Sequence, residues 1–359
     1  MDWNVTYREK NGAIQAVISY KDSSGSWKQK SKQGYKTQKE AKSWIDETVE
    51  ALSKAVKYID ADHLNDKFEQ LYDAFVEHIE LYNQANTINS YYRAKIHFET
   101  LNDIQVQKIT AMNIQKCVDD MVKRGMKATT INSHIVKLKT VFNYAIKTRV
   151  LKENPVFNIT MPEDKNKTEK VKALTKSEIG HLLSKIFLPK YYFISLIAVT
   201  CGLRLGEILA LKWSDIDEKN KMITVNKQWK LLNYKPETYG EGIVKRPNSN
   251  RVVPIPNSTM DELKKYKDEH PIDISGRLFP YKNSNAVSCD LRTHYKKIGF
   301  KISVHDLRHT YVSLLVAKGL DFQTIASLIG DTVAITIKTY SHFTEDMMTK
   351  AKNAVENIL

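Results

Sequence analysis

The chain has 359 residues, room for two or three domains, and 42% of them are hydrophobic, which excludes a disordered polymer. Lys and Arg outnumber Asp and Glu by 55 to 41, a formal charge of +14, so the surface favours a polyanion such as DNA or RNA. No stretch approaches the ~20 apolar residues of a membrane span. The opening Met1-Asp2-Trp3-Asn4 lacks a secretion signal's basic and apolar regions, and the scattered Cys117, Cys201 and Cys289 fit neither a disulfide framework nor a zinc site. A soluble intracellular protein is expected.

Trp3, Val5 and Tyr7 alternate with polar neighbours at strand period, and Ile14, Ala16, Ile18 and Tyr20 repeat the pattern after Asn11-Gly12, a hairpin signal. Ser23-Ser24-Gly25 supplies a second turn before Trp27. Thr37 and Glu40 form a capping box opening a helix with Ala41, Trp44, Ile45 and Leu52 on its apolar face. Residues 1–60 are therefore predicted as a three-stranded sheet crossed by one helix. Lys21, Lys28, Lys30, Lys32 and Lys36 crowd its second half, either as solvated edge lysines that discourage aggregation or as a DNA-facing set.

Residues 64–162 read as a helical domain. Its apolar stripes are Phe68, Leu71, Tyr72, Phe75 and Ile79; then Ile114, Cys117, Val118, Met121 and Val122, closed by Gly125; then Ile131, Ile135, Leu138, Phe142 and Ala145. Lys137, Lys139, Lys147 and Arg149 give the last helix a basic complement, either solvated or facing phosphates. Asn154-Pro155 ends the run, and residues 163–172 read as a charged linker.

Residues 173–359 form a mixed α/β domain. Thr175 and Glu178 cap a helix, and a strongly apolar helix over about 191–201 stops at Gly202. Strands near 222–225, 242–245 and 252–255 are predicted to form one small antiparallel sheet, with helices resuming from about Ala286. The predicted fold class is multidomain, mainly α with small β-sheets.

Four segments of this last domain carry chemistry. In Thr200-Cys201-Gly202-Leu203-Arg204-Leu205-Gly206-Glu207, an arginine lies between two glycines at a helix start. Glycine permits close backbone approach and a helix N-terminus favours anions. Arg204 is placed either to fork onto phosphate oxygens or to pair with Glu207 in the interior. Lys245-Arg246-Pro247-Asn248-Ser249-Asn250-Arg251 is a hairpin tip whose Lys245 is either solvated or held over a phosphodiester. Ser303 and Asp306 form a capping box that puts His305 and Arg308 on one face of a first helical turn. Gly330-Asp331-Thr332 and Lys338-Thr339-Tyr340-Ser341-His342 complete the set. Among 18 tyrosines, residue type alone marks none.

Together the segments resemble the tyrosine-recombinase (phage-integrase) family, from residue 173 to about 345. Gly-x-Arg-x-Gly-Glu matches residues 202–207, and the family hairpin matches Lys245, Ser249, Arg251, Val253 and Pro254. His-x-x-Arg matches His305 and Arg308, and Tyr340, 32 residues after Arg308, stands where the family nucleophile does. The upstream domains resemble, by layout, the family's arm-type DNA-binding domain and helical core-binding domain, as in integrases of phages or integrative conjugative elements.

The resemblance implies a site-specific recombinase that cleaves and rejoins DNA through a 3′-phosphotyrosine, integrating and excising a mobile element. Arg204 and Arg308, supported by Glu207, would neutralise the phosphate; His305 would accept or orient the Tyr340 proton; Lys245 would protonate the departing 5′-hydroxyl. These cations take the place of metal ions, so neither metal nor cofactor is implied. The implied partners are double-stranded attachment sites, a homotetramer assembled on DNA, an excisionase and a DNA-bending protein, in a bacterial cytoplasm near the nucleoid, with no membrane. Lys28, Lys30, Lys32, Lys137, Lys139 and Arg149 are the candidate DNA contacts outside the catalytic domain.

Asp331 departs from the family, which places His or Trp there as a donor, whereas an ionised carboxylate only accepts. It either orients Arg204 or Arg308, weakens a working site, or marks an altered protein. The last option admits a catalytically impaired DNA-binding regulator, and a type IB topoisomerase-like enzyme shares the same chemistry. After Tyr340, residues Met347, Met348, Ala351, Val355 and Ile358 recur at helical spacing, to pack on their own domain or on a neighbouring protomer.

Overall fold

The computed structural model describes residues 3–10, 12–21, 27–57, 66–163, 173–244 and 249–340. Two compact units divide the chain, Met1–Lys167 and Thr168–Leu359. Three expectations lie outside the described residues: the linker beyond residue 163, Lys245 with most of its hairpin tip, and the C-terminal tail from Met347 to Ile358.

The first unit holds two separate hydrophobic cores. β1 (Trp3–Lys10), β2 (Ala13–Lys21) and β3 (Trp27–Tyr35) form an antiparallel sheet in that order. Lys10 pairs with Ala13, so positions 11 and 12 are the whole connection, and Gly12 takes the left-handed φ of +71° that suits such a turn. Side chains alternate across a strand, which turns Ala16 and Ile18 toward Ala41 and Ile45 of α1 (Gln38–Lys57). Thr37 caps α1 by accepting the Glu40 N–H, while the Glu40 carboxylate reaches one residue further back than expected, to the Lys36 N–H.

Register decides where the lysines of β3 stand. Lys28, Lys30 and Lys32 lie opposite Tyr20, Ile18 and Ala16, on the helix-side face of an edge strand exposed from Trp27 to Gly34. The opposite face carries Asn4, Thr6, Arg8, Gln15, Ser19, Gln29, Ser31 and Gln33. Side-chain bonds from Gln15 to Ser31 and from Gln29 to Ser19 tie β2 to β3 there.

The second core is helical: α2 (Phe68–Glu80), α3 (Ala85–Lys95), α4 (Ala111–Lys123) and α5 (Ala128–Lys147), with 3₁₀ turns at Ile96–Leu101 and Val106–Lys108. The predicted stripes are buried with one correction, Val122, which is 45% exposed. Val122 falls in the closing turn of α4, where Gly125 reverses the chain at φ +72° and the Met126 N–H bonds back to the Met121 carbonyl. On α5, Lys139 is exposed and Lys137 donates to Ser133 Oγ at 2.8 Å. The helix stops at Lys147, short of Asn154-Pro155; Arg149 then takes a left-handed φ of +62°.

In the second unit, α6 (Lys176–Ser184) starts at the expected Thr175–Glu178 box, with both bonds formed. α7 (Pro189–Cys201) is buried on nearly every side and ends at Gly202, φ +68°. α8 (Leu205–Ala210) follows at once. The predicted single sheet is two sheets. β4 (Ile216–Asp217), β5 (Met222–Val225) and β8 (Arg251–Pro254) form one, and β6 (Lys227–Asn233) pairs with β7 (Thr238–Ile243) in a separate hairpin. β6 shows no alternation of buried and exposed residues, so its sequence carries no strand period, and it captures the strand that was expected to join β8.

α9 (Asn257–Glu269) is a helix absent from the sequence reading, which resumed helices only near Ala286. Its apolar stripe is reduced to Met260, Leu263 and Tyr266 among charges, too thin to register as periodic. α10 (Ser284–Lys297), α11 (Val304–Ala317), α12 (Phe322–Ile329) and α13 (Val333–Tyr340) complete the described chain. A large core surrounds α7, and a smaller one joins Tyr311, Val312 and Val316 to Ile325, Ile329 and Tyr340. Among the described residues, no helix is long and apolar enough to cross a membrane.

Phe142 is fully buried on α5 with its ring 5.8 Å from that of Phe68. Phe142→Ala is expected to lower the stability of the helical core by ~3–5 kcal/mol, read as a lower urea midpoint of the helical circular-dichroism signal.

Candidate active site

Two helix ends build the site. α7 stops because Gly202 turns left-handed, and a Cβ there would fall 2.3 Å from the Tyr311 ring. Two residues later Arg204 occupies the N-cap of α8. The Glu207 carboxylate folds back onto it, accepting the Arg204 N–H and the Arg204 Nη1 donor, both at 2.9 Å. The ion pair weighed from the sequence is therefore present. Arg251 of β8 donates to both oxygens of the same carboxylate, at 3.2 and 2.8 Å, and through Nε to the Leu328 carbonyl at 2.7 Å. Burial alone would raise the Glu207 carboxyl, but the Arg251 hydrogen bond and charge, with the Arg204 charge, hold it below the ordinary value.

Arg308 reaches the same place from α11. The Ser303–Asp306 box starts that helix as expected, with Asp306 accepting from the Ser303 N–H at 2.7 Å. The Arg308 guanidinium is 3% exposed and donates to the carbonyls of Gly202 at 2.6 Å and Ile329 at 2.8 Å. Burial, then the nearby Arg204 charge, lowers its pKa to about 10, which leaves it cationic at neutral pH.

Asp331 bridges the two arginines. Its Oδ2 lies 2.8 Å from Arg204 Nη2 and 3.0 Å from Arg308 Nη2. Gly330 caps α12 with φ +67°, and its carbonyl receives Arg204 Nη2 at 3.3 Å and Ser249 Oγ at 3.4 Å. Asp331 therefore contacts both arginines that the sequence reading offered it as partners. A cleft of about 460 Å³ opens beside it, lined by Asn250, Gln323, Ser327 and Thr332 among others.

Tyr340, at the end of α13, is 4% exposed, and its hydroxyl is hydrogen-bonded to His309 Nδ1. Burial pushes the phenol pKa above its ordinary value; the Arg308 charge pulls it down and Asp331 pushes it up, so both charges act on the hydroxyl. Burial, then the His305 ring, lowers His309 to about 4, leaving it neutral at neutral pH. The His305 ring packs edge-on against His309, centroids 4.5 Å apart. Although His305 as a whole is exposed, crowding of its ring and then the Arg308 charge lower its pKa as well.

Arg204, Glu207, Arg308 and Asp331 thus converge in one hydrogen-bonded cluster, with Tyr340 close enough to feel its charges. His305 stands one ring away from the tyrosine hydroxyl, and the imidazole on that hydroxyl is His309. Two members of the site had no role in the sequence reading. Arg251 stood inside the hairpin motif and His309 directly followed Arg308; position within a motif was the only signal for either.

The same segments match by sequence. Residues 168–347 match the Phage integrase family, residues 4–51 the Arm DNA-binding domain, and residues 67–161 the Phage integrase SAM-like domain. The chain belongs to the phage integrase family. It is a tyrosine recombinase. Over 306 residues, 75% of each chain, it is 30% identical to the tyrosine recombinase XerC-like protein of Caldanaerobacter subterraneus subsp. tengcongensis. It is 27% identical over 278 residues to the ICEBs1 integrase of Bacillus subtilis, covering 71% of this chain and 72% of that one.

Solved integrases share the fold. The Tn1549 transposon integrase in complex with circular intermediate DNA superimposes with a TM-score of 0.65 at 21% identity, covering 81% of this chain and 100% of that one. A lambda integrase dimer bound to a COC′ core site gives 0.58 at 18% identity, covering 94% of each.

The folded pKa of Glu207 lies below the ordinary value of 4.5, so its contribution to stability is fully present above that pH and is lost as pH falls through the lower folded value. Glu207→Gln is expected to cost ~3–5 kcal/mol at neutral pH by leaving buried guanidinium charge unpaired. It should also flatten the acid limb of a plot of unfolding free energy against pH.

Proposed function

We propose that this recombinase cuts and rejoins double-stranded attachment sites through a phosphotyrosine on Tyr340, integrating and excising a mobile genetic element in a bacterial cytoplasm. The reading rests on one observation. Arg204 and Arg308, from helices far apart in the chain, present Nη2 donors to a single shared anionic oxygen beside the Tyr340–His309 pair.

A phosphodiester placed at that shared point receives both guanidinium groups as negative charge builds on its oxygens. Neutral His309 takes the Tyr340 proton at Nδ1, which requires the ring's own proton to sit on Nε2. His305 packs against His309 and keeps that ring in place. The phenolate oxygen bonds to phosphorus, the bond to the 5′-oxygen breaks, and Lys245 gives that oxygen its proton. The phosphotyrosine conserves the bond energy, so rejoining to another 5′-hydroxyl needs no nucleotide cofactor.

Residues 1–60, 64–162 and 173–359 then serve as arm-binding, core-binding and catalytic domains. Lys28, Lys30 and Lys32 contact arm-site phosphates from the sheet edge, and Lys137, Lys139 and Arg149 contact core-site phosphates from α5. The enzyme works as a homotetramer on DNA, with an excisionase and a DNA-bending protein setting direction.

A nicked DNA carrying the end of the host element should trap a covalent adduct with the wild-type chain and none with Tyr340→Phe. Arg204→Ala should slow adduct formation by ~10²–10³-fold, and His309→Ala should slow it more than His305→Ala. Wild-type protein that binds this DNA without forming an adduct would mark a regulator on a recombinase fold, the alternative that Asp331 admits. Replacing Lys28, Lys30 and Lys32 together with alanine should lower the slope of log affinity against log salt by about 3, measured by fluorescence anisotropy on arm-site DNA.

A further inference from the structure

The cluster holds two carboxylates that behave differently. Glu207 is 3% exposed, takes a backbone N–H, and is gripped through both oxygens by Arg251 and Arg204. It is part of the framework. Asp331 is 20% exposed, meets Arg204 and Arg308 through the one oxygen Oδ2, and borders the cleft of about 460 Å³.

The arginines are anchored through Nη1, Arg204 to Glu207 and Arg308 to the Gly202 carbonyl. Their Nη2 groups converge on Asp331, and each also donates to a backbone carbonyl, Arg204 to Gly330 at 3.3 Å and Arg308 to Ile329 at 2.8 Å. An oxygen anion with two guanidinium donors at 2.8 and 3.0 Å has the coordination of an arginine-bound phosphate oxygen. Among the described residues, three guanidinium charges against two carboxylates leave the cluster with one net positive charge. Removing the Asp331 charge leaves two.

We propose that the Asp331 carboxylate is an internal stand-in for the scissile phosphate, occupying the anion site between Arg204 and Arg308 until a phosphodiester displaces it toward the adjoining cleft. The proposal rests on the phosphate-binding role given above to the two arginines. Before DNA binds, the carboxylate offsets the repulsion between two crowded guanidinium groups and keeps them oriented. A phosphate takes over both tasks when it arrives. The enzyme thereby loses affinity for stray anions, and the arginines are set for their substrate in advance.

The test uses the full-length chain and inorganic phosphate as the probe, with binding read by calorimetry and by the phosphate-dependent rise in melting temperature. Asp331→Asn should melt below wild type in phosphate-free buffer, recover on adding phosphate, and bind phosphate about tenfold more tightly, equivalent to ~1.4 kcal/mol. Asp331→Ala should show the same gain, so the result does not depend on how one variant folds. Adding Arg204→Gln to either should abolish the gain.

Equal phosphate affinity in wild type and both variants would overturn the proposal. So would a lowered melting temperature that phosphate does not restore, because Asp331 would then be a strut and not a stand-in. If no form of the protein binds phosphate, the anion site itself is absent and the proposal fails with it. The Tyr340-dependent adduct on nicked DNA reports on the recombinase reading separately, so adduct formation without any phosphate effect sinks this inference alone.

Discussion

Three guanidinium groups crowd one small region of the second unit, and two carboxylates allow them to coexist, Glu207 between Arg204 and Arg251 and Asp331 between Arg204 and Arg308. An unpaired charge in the interior costs several kcal/mol even after relaxation. Arg251 and Arg308 are both nearly inaccessible to water, so each needs compensation at short range. Glu207 provides it for Arg251 and Arg204 together, and its depressed pKa is the electrostatic signature of that task.

Backbone supplies the rest. The last carbonyls of a helix have no partner within it and carry the negative end of its dipole. α7 and α12 both finish in a left-handed glycine, and both aim those carbonyls at arginines: Gly202 at Arg308, Ile329 at Arg308 and Arg204, Leu328 at Arg251. Two helix C-termini and two carboxylates thus surround three fixed cations. Their hydrogen bonds orient the guanidinium groups before substrate arrives, and donors oriented in advance are what electrostatic stabilisation of a phosphoryl transition state requires. The tyrosine lies on the following helix, its hydroxyl against an uncharged imidazole and within the field of Arg308.

Much of this architecture was readable from short-range chemistry. The boxes at Thr175–Glu178 and Ser303–Asp306 set the starts of α6 and α11, since a hydroxyl and a carboxylate three residues apart satisfy each other's backbone. Gly202 and Gly125 marked helix ends because other residues adopt positive φ with difficulty. Misreadings came where local signals were weak. β6 lacks alternation and α9 lacks a broad apolar stripe, so both owe their form to partners distant in sequence. The lysines of β3 were visible as a group, yet their face depended on register with Ala16 and Ile18.

The sequence determined the local settings of Gly202 to Glu207 and of His305 to Arg308, because helix starts and glycine turns depend on backbone-local requirements, and only their joint resemblance to the tyrosine-recombinase motifs tied them and Tyr340 to one chemistry. Which carboxylate faces which arginine was decided only by the packing of α7, α8, β8, α11 and α12 around one point. The same packing placed His309, and not His305, on the tyrosine hydroxyl. Those contacts join residues up to 127 positions apart, and no periodicity or motif encodes a distance between segments that meet only when a shared core is buried.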